Sequence, residues 1–593
     1  MSSPSSSSSS SKLLLKNPLL SLLQKCKKIS EIFQIHAQLI TKDLISNPFT
    51  VSRLIIATTS NASSTMDYAE LVFSQIEQPQ PHTFIWNSMI RGFVENSKPR
   101  KAFEFFNKMQ KESVNRDNYT YPFVLKACGL MLGLNEGKEI HGEVMKKGFE
   151  LDLFVMNGLI SMYCRCGEMV CAKRLFDEFN DKDLVSWNTL IGGYIVVNDM
   201  DNAQILFDEM PERDLVSWTM MIDGYGKRFG NVVRARELFN NMSKRDLVTW
   251  NSMIAAYTHT GDMDVARELF KEMAEKNVIS WSIMIDGYAR HGEPREALIL
   301  FREMLLRGIR ADKVSVVGAI QACGQLGALD QGRWIHVYME KNNIISDVVV
   351  QTALLDMYMK CGSLNEACGF FNNMSEKNFV SWNVMISGLG INGCGDEALQ
   401  LFAQMVEQDI LIDELTLLSV LNACNHAGLV NEGLLLFTNM KNTYDVEPKL
   451  QHYSCLVDLL SRAGRMKEAK KVIEAMPVKA DSVLWGSLIA ACRTNVNLSI
   501  AEVSLERLVK LKSEDCGVYV LMSNIYAEKE MWGDVSKIRG LMNDRGLKKE
   551  TGGSVIEVDG HVHEFFNCYG TKCFIEELES VIWSLSKVMV SAK

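Results

Sequence analysis

The side chains most suited to catalysis gather near the end of the chain, where His561 and His563 alternate in HVHEFF and Cys568 and Cys573 follow. A zinc nucleobase deaminase would need H-x-E, to set a metal ligand beside a proton shuttle, and P-C-x-x-C to complete the metal site. The two never occur together in the 593 residues: H-x-E appears only as HGE at His141 and His291, inside the body of the chain, and P-C-x-x-C nowhere. His561 and His563 have the spacing of one face of a strand, so this segment reads as a partner-docking strand rather than a metal site. The phosphate cradle G-x-x-x-x-G-K-(S/T) and the nucleophile elbow G-x-S-x-G are missing as well. Fifteen cysteines, from Cys26 to Cys573, include no C-x-x-C pair and read as buried reduced thiols. The chain is therefore expected not to be an enzyme and to hold no metal or cofactor. A second set of polar side chains recurs instead of clustering. Asn188, Thr219, Asn251 and Ser282 each follow directly on one of the tryptophans Trp187, Trp218, Trp250 and Trp281.

Those tryptophans lie 31, 32 and 31 residues apart, which marks tandem repeats. Trp86 precedes Trp187 by 101 residues and Trp382 follows Trp281 by the same 101, the length of two 35-residue repeats and one of 31. The missing middle members are visible as PFVLKACGLMLGLNEGKEIH from Pro122, VGAIQACGQLGALDQGRWIH from Val317 and LSVLNACNHAGLVNEGLLLF from Leu418. Within one repeat, WNSMIAAY and ARELFKEM place apolar residues three and four apart on either side of THTGD around Gly261. That pattern predicts a helical hairpin. A lone pair of about thirty residues cannot bury both apolar faces, so neighbours must stack and the chain becomes an all-α solenoid. The Trp, Met and Leu stripes are then core.

Composition sets limits on partners. With 47% hydrophobic and 23% charged residues the chain is globular. No run of about eighteen apolar residues is present to span a bilayer. A formal charge of -9 argues against partners held by bulk electrostatics, such as non-specific DNA or an anionic membrane. A partner read base by base is compatible with it. Residues 1–30 carry Lys12, Lys16, Lys25, Lys27 and Lys28, a serine run and no acid before Glu31, and resemble an organelle transit peptide. A disordered Ser-rich tail is the alternative.

Blocks such as LVSWNTLIGGY, followed by A-x-x-LFDEMPERD, resemble the pentatricopeptide repeat, and the 35/35/31 alternation is similar to the plant P, L and S triplet arrangement. The resemblance covers roughly residues 17 to 546 and implies a right-handed superhelical α-solenoid of helix-turn-helix repeats. In the family's register, repeats begin at Thr83, Asn118, Leu153, Leu184, Leu215, Leu247, Val278, Lys313, Val348, Phe379, Glu414 and Leu450, with weaker ones near Asn17 and Pro48. The tail, from LQHYSCLVDLLSRAGRMKEAKKVIEAMP to DGHVHEFF, is similar to the C-terminal extension of the RNA-editing members, E or extended-E class, and stops at Lys593 before the terminal deaminase-like (DYW) domain. The expected division is a transit peptide over 1–30, degenerate repeats over 31–82, P, L and S repeats over 83–481, E-type repeats over 482–546 and a truncated extended-E region over 547–593.

The resemblance also names a reading surface. In the eight P- and S-type repeats, the fifth and last positions pair as Asn87 with Asp117, Asn157 with Asp183, Asn188 with Asp214, Thr219 with Asp246, Asn251 with Asn277, Ser282 with Asp312, Thr352 with Asn378 and Asn383 with Asp413. The second position is apolar throughout: Phe84, Phe154, Val185, Val216, Val248, Ile279, Val349 and Val380. Splayed single-stranded RNA needs such a set, an apolar contact for each base face and a donor or acceptor pair for its edge. An Asp before a helix is equally a good N-cap, which would explain the last column without RNA but not the fifth. By the family's pairing tendencies the array would read 5'-UNUUGYRNAUNNNNNC, the final C being edited. The implied function is to specify cytidines for C-to-U editing by a DYW-type deaminase supplied in trans, in a mitochondrion or a plastid. Splicing, stability or translation of organellar RNA, or a peptide-binding scaffold, are the alternatives.

Overall fold

A computed structural model describes residues 18–23, 26, 29–45, 47–59, 66–75, 83–344, 347–494, 498–511 and 516–547, with the backbone of 553–558 and 561–566. Residues 1–17 of the expected leader, and Cys568 and Cys573, lie outside the described residues. The chain divides into two compact parts, Met1–Leu269 and Phe270–Lys593, and both are built from helical hairpins.

A hairpin begins where the sequence offers a cap. Asp183, Asp214, Asp246, Asn277, Asp312, Asn378 and Asp413 hold extended backbone, and the side chain of each accepts the N–H three residues on. This satisfies one of the four donors that a helix start leaves open. The first helices accordingly open at Thr83, Leu153, Leu184, Leu215, Leu247, Val278, Lys313, Val348, Phe379, Glu414 and Leu450, the starts expected from the register. Asn118 is the exception: Asp117 caps Tyr119 and Thr120 in a tight turn and the helix runs over Thr120–Met131. A first helix such as Leu247–Thr260 stops at a left-handed glycine, Gly261 at φ 85°, a conformation open to a residue without Cβ. The second helix, Met263–Glu272, follows at once.

Stacking buries the apolar stripes. Within each part, first helices of successive repeats pack on one another, and second helices pack on their own first helix and on the next. Where the next repeat carries a Trp, one aromatic contact recurs: a Phe of the second helix meets that Trp edge to face, as in Phe176–Trp187 (4.8 Å, 80°), Phe207–Trp218 (4.9 Å, 82°) and Phe371–Trp382 (5.2 Å, 88°). Such pairs contribute about 0.5–1.5 kcal/mol beyond their buried area. First helices approach closely where small residues face one another. A Cβ on Gly390 would lie 2.5 Å from the Cα of Ala423, so the pair Phe379–Ile391 and Glu414–Ala427 depends on that glycine.

The difference between long and short repeats lies in the second helix. It has 13 residues in Pro99–Lys111 and Pro294–Leu306 but 10 in Met169–Glu178, Met200–Glu209 and Leu364–Asn373. Roughly one helical turn is removed, so the face presented by the second helix is kept and the first helix is untouched. The single extra residue between Trp218 and Trp250 is absorbed differently: Leu215–Asp223 continues into a π-helical turn, Gly224–Arg228, the usual way a helix takes in one added residue.

Three features differ from the sequence reading. Pro18–Leu23 is a helix with Leu19, Leu20 and Leu23 buried, so packed structure already begins inside the segment assigned to the leader. The all-α class has one addition among the described residues, an antiparallel hairpin of β1, Gly553–Val558, and β2, His561–Phe566, in which Val558 pairs with His561 and Ile556 with His563. The thirteen described cysteines are all free thiols, but only Cys128, Cys164, Cys323, Cys424 and Cys492 are buried; the other eight are half-buried. Burial pushes the Cys128 and Cys164 thiols up to about 12. No helix among the described residues is long and apolar enough to cross a membrane.

Candidate nucleic-acid interface

The fifth residue of each reading repeat stands near the start of its first helix, one turn in from the cap. The last residue is the cap of the next first helix, so the stacking of first helices carries the two columns side by side. Asn87 Nδ2 donates to Asp117 Oδ1 at 2.9 Å, Asn157 Nδ2 to Asp183 Oδ1 at 3.2 Å and Asn188 Nδ2 to Asp214 Oδ1 at 3.3 Å. Ser282 Oγ donates to Asp312 Oδ1 at 2.7 Å. Thr219 reaches Asp246 through a relay: its hydroxyl lies 3.1 Å from Thr249 Oγ1, which donates to Asp246 Oδ1 at 2.7 Å.

Two expected pairs are not joined in this way. Thr352 Oγ1 donates back to Val348 O at 2.6 Å, while Asn378 Oδ1 accepts Ser381 N at 2.9 Å as a cap. Asn383 is buried with its Oδ1 unpartnered, and Asp413 caps Thr416. Asn251 is buried in the first part and Asn277 caps Val278–Arg290 in the second.

A third column stands against the pairs. It is the hydroxyl three residues after the closing residue. Ser186 Oγ donates to Asp183 Oδ1 (2.8 Å) or Asn157 Oδ1 (2.7 Å), and Thr120 Oγ1 to Asp117 Oδ1 (2.9 Å) or Asn87 Oδ1 (2.8 Å). Thr120, Ser186, Ser217, Thr249, Ser280, Ser315, Ser381 and Thr416 are all fully buried. Thr120 and Ser186 therefore hold both members of a pair, and Thr249 joins Thr219 to Asp246, whereas Ser217 and Ser381 donate to the backbone carbonyls of Asp214 and Asn378. The signal was present as a Ser/Thr at one position behind all eight reading repeats.

The bonds these carboxylates accept converge on one oxygen. In Asp117, Asp183, Asp214, Asp246, Asp312 and Asp413 the capping N–H is accepted by Oδ1, and in Asp117, Asp183, Asp214 and Asp312 the fifth-residue bond ends on the same oxygen. None of these bonds uses Oδ2. Burial pushes the carboxyls of Asp183, Asp214 and Asp246 up, but the bonds from backbone N–H and side chains outweigh it and hold all three below the ordinary value. They are anionic acceptors at neutral pH.

Apolar walls separate the pairs. The second-position residues are 41–70% exposed, which is unusual for an apolar column spaced one per repeat. They extend into the long repeats as Tyr119, Val314 and Leu415. Between Phe84 and Tyr119 lies a cavity of about 320 Å³ whose floor carries Asn87 and Asp117, and a second of about 400 Å³ holds Val380, Asn383 and Leu415. Each is lined by apolar second-position side chains together with hydrogen-bonding groups. A further cavity, about 530 Å³ beside Phe301, Trp334 and Tyr338, lies between second helices and contains none of the pairs.

Comparison with known proteins decides the family. The PPR repeat model matches residues 154–184, 185–215, 216–247, 248–278, 279–309, 352–379 and 452–479, and the PPR repeat family model matches 81–129 and 377–426. The chain belongs to the pentatricopeptide repeat family. Its repeat-model boundaries fall one residue after the helix starts at Leu153, Leu184, Leu215, Leu247 and Val278. An E motif model matches 495–557, which fits the E class of the PLS pentatricopeptide repeat proteins. The chain is 45% identical to the Arabidopsis thaliana pentatricopeptide repeat-containing protein At3g29230, covering 92% of this chain and 90% of that one. It is 38% identical to the A. thaliana protein At1g08070, chloroplastic (95% and 81%), and 36% identical to At2g22410, mitochondrial (93% and 87%). Among solved structures it is similar to the pentatricopeptide repeat protein PPR10 in complex with an 18-nt psaJ RNA element, at 16% identity and a TM-score of 0.52 over 91% of this chain and 92% of that one. The pentatricopeptide repeat fold is thus common to both.

Proposed function

We propose that this pentatricopeptide repeat protein binds single-stranded organellar RNA, one base per reading repeat, and specifies cytidines for C-to-U editing by a deaminase supplied in trans. The observation that carries the reading is the division of labour at the closing residue: Oδ1 caps a helix and holds the fifth residue, which leaves Oδ2 for a base edge. A column needed only for capping would require neither the partner at position five nor an exposed apolar residue beside each pair. PPR10, which shares the fold, is named as an RNA complex, and relatives carry organelle names of both kinds, so mitochondrion and plastid stay equal alternatives. The E motif supports editing as the outcome.

The test is a transcriptome-wide comparison of edited cytidines with and without the gene. The expected result is one or a few lost sites preceded by a match to UNUUGYRNAU ending six nucleotides before the cytidine. Lost sites that match no better than random cytidines would overturn the register. Intact editing with a changed intron or transcript end would favour an RNA-processing role. Purified chain should bind such an RNA and leave its cytidines unchanged.

A further inference from the structure

The long repeats that begin at Asn118, Lys313 and Glu414 interrupt the reading columns: their fifth residues are Pro122, Val317 and Leu418. Their closing residues are polar all the same. Asp152 and Asp347 cap the next helices through Oδ1, as the reading aspartates do. What differs is the other oxygen. Asn118 Nδ2 donates to Asp152 Oδ2 at 2.8 Å, and Lys313 Nζ donates to Asp347 Oδ2. In the third long repeat the charges are exchanged, and the Lys449 ammonium pairs with Glu414. In all three the opening residue of a repeat bonds the closing residue of the same repeat, 34 or 35 positions on.

Reading repeats cannot form this contact. Seven open with Leu153, Leu184, Leu215, Leu247, Val278, Val348 or Phe379, and the eighth opens with Thr83, whose hydroxyl donates to Asn115 O instead. The buried hydroxyl sorts the same way. It stands behind all eight reading repeats, whereas the residues there behind the long repeats are Val155, Val350 and His452. Two independent positions thus divide the array into the same two classes.

We propose that the opening residue of each long repeat latches the closing one, and that this latch, beyond the apolar fifth residue, keeps the repeat silent toward the base it covers. The proposal rests on the base-reading function above. The chemistry is direct: a base offers Oδ2 a neutral N–H, while the latch fills that oxygen with an amide or ammonium donor from within the repeat, and a charged donor makes the stronger bond. Where the closing residue is Lys449, the carboxylate acceptor is replaced by a cation, itself engaged by Glu414. Exchanged charge with the same pairing is what a latch requires and what a base-reading code would not produce.

The test compares two variants of the full chain by competition binding, on RNAs that differ only at the nucleotide under the repeat opening at Lys313. Val317→Asn with Val350→Ser supplies a fifth residue and its hydroxyl while the latch stays; Lys313→Val added to these removes the latch. The latched variant is expected to stay indifferent, and the unlatched one to prefer U over A by roughly tenfold, the scale of a good edge contact. A preference gained with the latch in place, or none gained without it, would overturn the proposal. Thr352→Asn with Asn378→Asp runs in the same assay: if that pair also leaves preference unmoved, the base-reading function itself has failed and not only the latch. Thermal melting reports whether each variant folds, and the equivalent set at Asn118, Pro122 and Val155 replaces any that does not.

Discussion

At the scale of residues, the proposed function gives one carboxylate two tasks that separate substitutions can tell apart. Asp183→Ser keeps an N-cap acceptor, so stability should hold within a few tenths of a kcal/mol, but the second oxygen is gone and the preference for U under that repeat should fall. Asp183→Ala removes both, with an added loss of about 1 kcal/mol in a denaturant melt. Equal effects on binding and stability in both variants would reduce the residue to a cap. Thr352 and Asn378 give the complementary case, since neither is engaged with the other in the structure. Thr352→Asn with Asn378→Asp preserves a competent cap and should move preference at that base alone from A to U, by about 1–3 kcal/mol, measured with two oligonucleotides that differ there. An unchanged preference for A in a folded variant would mean that these side chains do not read.

At the scale of elements, the caps and the buried rings make stability depend on pH in two windows. Imidazoles His36, His141 and His336 lie against Tyr68, Tyr163 and Tyr358, and burial holds all three below the ordinary value. The unfolded chain takes up protons first, so stability is lost as pH falls below about 6.5 toward the depressed folded values. The capping carboxyls of Asp183, Asp214 and Asp246 are also depressed, so their contribution is present above about pH 4 and lost below it. A melting temperature that is flat from pH 7.5 down to 4 would contradict the first window, and one that is flat from pH 4 down to 2 the second. Element starts were legible because Asp or Asn before an apolar run is a local signal, and the Trp column followed from its spacing. The hydroxyl behind each pair was legible as a residue and not as a role, because one Ser looks like any other until stacking brings it under the previous repeat's asparagine. The bonds across the long repeats join residues 34 or 35 positions apart, which no local pattern encodes.

At the scale of the whole molecule, the reading pairs all lie at or before Asp413, while residues 495–557 carry the E motif. Removing 482–593 should therefore abolish editing and leave affinity for the cognate RNA within a few-fold. It should also loosen the cut end, because Leu484, Trp485, Leu488 and Ile489 cover Leu456 and Leu460, and a solenoid needs a closing repeat. Hydrogen exchange should show faster opening of Leu450–Ala475 and unchanged protection near Trp281; a collapse of RNA binding would mean that the tail also holds the reading surface. The reading pairs have one more consequence, for inheritance. On the proposed function each base is named by the fifth residue of one repeat and the cap of the next, so a crossover between misaligned copies that falls at a hairpin turn such as Gly261 would join half of one pair to half of another. Every helix, cap and aromatic junction survives in the recombinant. Only the letter read at that place changes, so a single exchange within the gene can redirect the protein to a new transcript without one point mutation.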